Sequence, residues 1–164
     1  MKIKIPSERI ATLCCRLQEL ASPYADITAE PRMDSKGATR TSLIISPHSE
    51  TAARMQIDIE SDFGAYLSFG SHTDIEVPYP TGYETGLPWD EEVLTLCDAV
   101  IACGMIEEIA FQNEKAVGGK FIIRLRNGDT IRGSWVWRIP LAWRFGKRIE
   151  TISYSPYGVS RQSA

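Results

Sequence analysis

The stretch Arg54-Met55-Gln56-Ile57-Asp58-Ile59-Glu60-Ser61-Asp62-Phe63-Gly64-Ala65-Tyr66-Leu67-Ser68-Phe69-Gly70-Ser71-His72-Thr73-Asp74-Ile75-Glu76-Val77 reads as three strands joined by two tight turns. Its apolar side chains recur at every second position, the signature of half-buried strand, because successive side chains point to opposite sheet faces. Register follows from the rule that directly opposed residues share a face. A two-residue Ser61-Asp62 turn would oppose Glu60 to Phe63 and mix polar with apolar. One more loop residue opposes Ile59 to Ala65, Ile57 to Leu67 and Met55 to Phe69. Three loop residues at Gly70-Ser71-His72 then oppose Phe69 to Thr73, Leu67 to Ile75 and Ala65 to Val77. Every apolar residue falls on one face. The other face receives Arg54, Gln56, Asp58, Glu60, Tyr66, Ser68, Asp74 and Glu76, with Tyr66 between Asp58 and Glu76.

Outward from this core the pattern changes to helical spacing. Ile10, Leu13, Cys14, Leu17, Leu20 and Ala21 form one stripe, with Ser7 as the expected N-cap and Ser22-Pro23 as the stop, so a helix is predicted over 7–21. A second helix is predicted over 89–103. Asp90, Glu91 and Glu92 occupy its first turn, where the helix dipole favours carboxylates, and Gly104 follows its end. Strands are expected at 24–30, 40–46, 54–60, 64–69 and 73–77 after the first helix. After the second they are expected at 106–112, 120–126, 130–138 and, weakly, 149–154. The fold class is therefore α+β: largely antiparallel sheet with two helices packed on one face, and a helix-plus-meander pseudo-repeat. The whole chain, 1–164, is read as one domain. Its halves, 1–77 and 89–154, are joined by a Pro/Gly-rich loop at 78–88, and 155–164 form a loose tail.

Charge is sorted along the chain. From Glu50 to Glu114 there are fourteen acids and one base, Arg54; from Lys115 onward there are ten bases and two acids. The net charge of −3 conceals this dipole. In the second half, Asn127-Gly128-Asp129 is taken as a three-residue hairpin loop. Leu125 then opposes Ile131, Ile123 opposes Gly133 and Phe121 opposes Trp135, with Glu108 beside Arg124. The outer face would carry Lys120, Arg124, Arg126, Arg132 and Arg138, while Trp135 and Trp137 face the core. Two outward patches result, one acidic and one basic.

Several chemistries find no support. The N-terminus, Met1 to Pro6, lacks the apolar segment of a signal peptide, and no run approaches the ~18 apolar residues of a membrane span, so a cytoplasmic location is expected. Cys14, Cys15, Cys97 and Cys103 form no CxxC pair and read as reduced packing residues. No catalytic triad, Walker loop or dinucleotide fingerprint is present, so no catalytic residue, metal ligand or cofactor is assigned. Glu91-Glu92 and Glu107-Glu108 are adjacent pairs whose side chains diverge, and neither makes an acid/base couple.

The leading reading is a non-catalytic protein-binding module that engages a basic partner through Asp58, Glu60, Tyr66, Asp74 and Glu76, with Tyr79 and Tyr83 of loop 78–88 as further anchors. In general character such a small acidic α+β protein resembles bacterial immunity and inhibitor proteins. One alternative is a small hydrolase-like or other enzyme with a site near His72 and loop 78–88. Another is nucleic-acid binding through Arg124, Arg126, Arg132 and Arg138, which the negative net charge opposes. A homodimer in which acidic and basic patches meet is also compatible with the charges.

Overall fold

The computed structural model describes residues 4–33, 39–136 and 148–158. Helix α1 (Ser7–Ala21) leads into strands β1 (Ala25–Met33), β2 (Thr39–Pro47), β3 (Met55–Glu60), β4 (Gly64–Phe69) and β5 (Thr73–Pro78). Helix α2 (Trp89–Cys103) leads into β6 (Met105–Gln112), β7 (Lys115–Arg124), β8 (Thr130–Val136) and β9 (Arg148–Tyr154). The α+β class and both helix spans are as expected. The strands divide into two antiparallel sheets rather than one. The first is a plain meander, β1-β2-β3-β4-β5. The second has the order β8-β7-β6-β9, so its last strand returns to the far side of β6 and departs from the pattern of the first.

The register argued for 54–77 is the register found. Ile57 opposes Leu67, Leu67 opposes Ile75, and Met55, Ile59, Ala65, Phe69 and Val77 complete the buried face. Leu13, Leu17 and Ala21 of α1 join these residues in a core cluster. So do Trp89, Val93, Leu96, Cys97 and Val100 of α2 and Met105, Phe121, Ile123 and Ile131 of the second sheet. Burial of this many large apolar side chains, each contributing roughly 1.5–3 kcal/mol, outweighs any single polar contact described below.

Several expectations need correction. Ser7 is not the N-cap of α1: Pro6 is, and its extended backbone and free carbonyl receive the Arg9 and Ile10 amides at 3.0 and 3.3 Å. The β7–β8 hairpin is shifted by two residues, pairing Ile123 with Ile131 and Phe121 with Gly133. Its loop is Arg126-Asn127-Gly128, because Gly128 at φ 92° supplies the left-handed third position that such a loop requires. The two-residue shift keeps the paired side chains on their expected faces and lifts Arg126 off the sheet into the turn, and in the separate β6–β7 ladder Glu108 lies opposite Lys120, not Arg124. Trp135 is half-buried and stacks on His72 at 6.0 Å instead of joining the core; Trp137 lies outside the described residues. Lastly, the expected tail is docked where it begins. Ser155 bridges Ala52, and the buried Tyr157 donates its hydroxyl to the Ala53 carbonyl at 2.5 Å. None of the four cysteines is paired; Cys97 is buried, whereas Cys15 is exposed rather than packed. No described helix is long and apolar enough to cross a membrane.

Candidate functional site

Both helices pack on the apolar side of the first sheet, which leaves the polar side of β2–β5 uncovered by either. Alternation along three strands brings Asp58, Glu60, Tyr66, Asp74 and Glu76 together there, as the sequence predicts. Tyr66 stands between Asp58 and Glu76 in the ladder. Asp74 and Glu76 are exposed on β5, the edge strand, and Asp74 accepts the Ser68 hydroxyl at 2.7 Å.

The other half of this face is already occupied by a cation. Arg40 of β2 lies opposite Glu60, donates to its carboxylate and stands 3.9 Å from Asp58. Its guanidinium also sits over the Tyr66 ring, 5.8 Å from the centroid. Arg40 falls in the strand predicted over 40–46, and the facing rule carried one strand further puts it on this face, since β2 pairs with β3 in register with the same alternation. Gln56 donates to both oxygens of Asp58 at 3.3 and 3.1 Å. Phe63 stacks on Tyr66 at 4.6 Å. Burial raises the Tyr66 phenol pKa, with the Glu76 charge adding to it and Arg40 opposing. The open carboxylates are therefore Asp74 and Glu76, while Asp58, Glu60 and Tyr66 form a preassembled guanidinium cradle.

Tyr79 and Tyr83 are placed differently from each other. Tyr79 packs edge-on to the buried Trp89, 6.4 Å between ring centroids, and lies under the Arg9 guanidinium. Tyr83 is 75% exposed. The loop that carries Tyr83 is held just beyond it by Glu92, one of the acids in the first turn of α2. This fully buried carboxylate accepts the Thr85 amide at 2.7 Å, the Thr85 hydroxyl at 2.6 Å and the Glu84 amide at 3.2 Å. A Cβ on Gly82 would lie 2.1 Å from the same carboxylate, so only glycine fits. Burial, then the neighbouring Glu92, raises the Glu84 pKa.

A second buried carboxylate, Glu107, joins the two sheets. From β6 it accepts the amides of Ser71 and His72 at 3.0 and 2.9 Å, the Thr73 hydroxyl at 2.7 Å and the Tyr154 hydroxyl at 2.8 Å. Gly70 has φ 61°, and a Cβ there would lie 2.8 Å from both Glu107 and Tyr154. Chiefly burial, with the Glu107 bond in support, pushes the Tyr154 phenol up to about 12. Both glutamates were legible in principle: each falls on the core phase of its element, Glu92 within the α2 stripe and Glu107 between Met105 and Ile109. Their many donors make them structural anchors.

His72 is in the β4–β5 turn, as the register argument requires, with its ring near Phe111 and Trp135. Loop 78–88 begins at the opposite end of β5, a six-residue strand, so the two do not line one site. Among the described residues no group of three or more His, Cys, Asp or Glu side chains could hold a metal ion. Arg124 and Arg132 are exposed on the outer face of the second sheet. Arg126 is instead bound to Asp98 of α2 by two hydrogen bonds at 2.5 and 2.8 Å, and Arg138 lies outside the described residues. Comparison with protein-family models, with curated proteins and with solved structures finds no match for this chain.

Proposed function

We propose that this is a cytoplasmic, non-catalytic binding module, of the kind that blocks or escorts a partner, and that the polar face of its first sheet engages a basic protein surface. The observation that carries this reading is Arg40. A guanidinium is already held there by Glu60, Asp58 and the Tyr66 ring. The same face continues past Tyr66 of β4 into Asp74 and Glu76, both exposed on the edge strand β5. An arginine or lysine side chain from a partner would meet, beside Arg40, the chemistry that Arg40 itself uses. Charge-assisted bonds to carboxylates and a cation over an aromatic ring favour arginine over lysine. Four unpaired cysteines fit a reducing compartment. The exposed Tyr83 is a further contact, and Tyr79 serves to hold the loop that presents it.

The test is affinity capture from extract of the native host with the unaltered chain and with Asp74→Lys/Glu76→Lys as bait. A basic protein retained by the first and lost by the second is the expected outcome. Retention of the same proteins by both baits would overturn the reading.

A further inference from the structure

The outer face of the second sheet is not used by the function proposed above, and its arrangement is self-complementary. The ladders set its side chains in level rows across β8, β7, β6 and β9. One row is Ser134, Lys120, Glu108, Thr151; the next is Arg132, Ile122, Ile106, Ser153; and Gly118 and Ala110 stand side by side beyond the first row. Ile106 is 38% exposed and Ile149, on the same face, 67%. They are two of the large hydrophobic residues left open to solvent, and Ile122 beside Ile106 is half-buried. Glu108 and Lys120 are both exposed, and among the described residues neither takes part in an ion pair.

We infer that this face is the interface of a symmetric dimer, its occupant a second copy of the same face. Two copies packed face to face are related by a two-fold axis lying in the plane between them. If the axis runs along the strands, midway between β6 and β7, each β6 residue meets the β7 residue of its own row in the other copy. Glu108 then meets Lys120 and Lys120 meets Glu108. Ile106 meets Ile122, and the reverse. Ala110 meets Gly118, small against small, and Ile149 of the same row meets β8 of the other copy. Arg132 meets Ser153 and Ser134 meets Thr151, so no like charges are apposed in these rows. An apolar centre with charged residues around it has the anatomy of a protein interface. A contact four strands wide is near the lower limit of stable interfaces, so monomer and dimer should exchange with concentration. The acidic faces of both first sheets stay open in this arrangement.

Charge exchange tests it. The quantity measured is molecular mass by sedimentation velocity over a wide concentration range. The unaltered chain should move from monomer to dimer. Glu108→Lys puts two cations opposite each other twice per dimer, and Lys120→Glu does the same with anions. Each should weaken association about 10-fold or more. Combining both substitutions in one chain restores opposite charges and should restore the dimer. Mixing the two single variants should give a heterodimer at concentrations where each alone is monomeric. A chain that remains monomeric throughout would overturn the inference. So would a dimer indifferent to both single reversals, or one lost instead on reversing Asp74 and Glu76, since either places the contact elsewhere. Circular dichroism on each variant guards against misfolding, and the double variant and the mixture decide the matter if one single variant fails to fold.

Discussion

At the scale of single residues, the buried carboxylates set the joints of the molecule. Glu107 satisfies four donors from the β4–β5 turn, the start of β5 and β9. Glu107→Ala would leave them without an acceptor in a dry setting and should lower unfolding free energy by about 3 kcal/mol. Glu107→Gln keeps one acceptor oxygen and should lose about half as much. Urea denaturation of the two variants reads the difference, and equal, negligible losses would show that the joint is not supported there. Alkaline pH reports on the same region. Burial pushes Tyr154 and Cys97 up to about 12, and raises Tyr157 as well. In unfolded chains the tyrosine and cysteine groups titrate near ~10 and ~8.5. Folding therefore holds these protons more tightly. Their contribution is complete below those unfolded values and is lost as pH rises through about 9 to 12. The urea midpoint should fall across that window. Tyr154→Phe should make the fall shallower above pH ~10; an unchanged slope would contradict the assignment to Tyr154.

At the scale of elements, what the sequence discloses depends on how many independent cues agree. In β3, β4 and β5 the alternation, the turn lengths and the facing rule all select one register. At the β7–β8 hairpin they conflict: extending the apolar run through Leu125 favours one loop, whereas the need for glycine at the left-handed position favours another, and the glycine prevails. The charge sorting misled for a different reason. It is a property of sequence, while ion pairs form in space. Acids of α2 are drawn into contacts with arginines from elsewhere, Arg9 with Asp90, Arg16 with Glu91 and Arg126 with Asp98. The two expected patches are accordingly smaller than their sequence counts, and Arg40 sits within the acidic one. Helix α2 and its preceding loop also behave as a unit through Glu92. Glu92→Ala should raise amide hydrogen exchange at Glu84 and Thr85 about 30-fold or more while the β3–β4 ladder keeps its protection. Unaltered exchange at Thr85 would mean that the loop holds itself.

At the scale of the whole molecule, one apolar core runs from the first sheet through α2 to the second, and each sheet turns a different polar face outward. The first face is acidic and holds a guanidinium of its own; the second mixes isoleucines with opposite charges. In the function proposed above, the first face recognises a basic partner through Asp74 and Glu76, with the Arg40 cradle beside them. Association kinetics with the captured partner test this most directly. With Asp74→Lys/Glu76→Lys, the association rate should fall about 10-fold or more at low ionic strength, and added salt should shrink the gap, because exposed charges steer encounter and are screened over about 8–10 Å. Folding should be unaffected, since both side chains are exposed and lie outside the core. Equal association rates for the variant and the unaltered chain at every salt concentration would contradict the account.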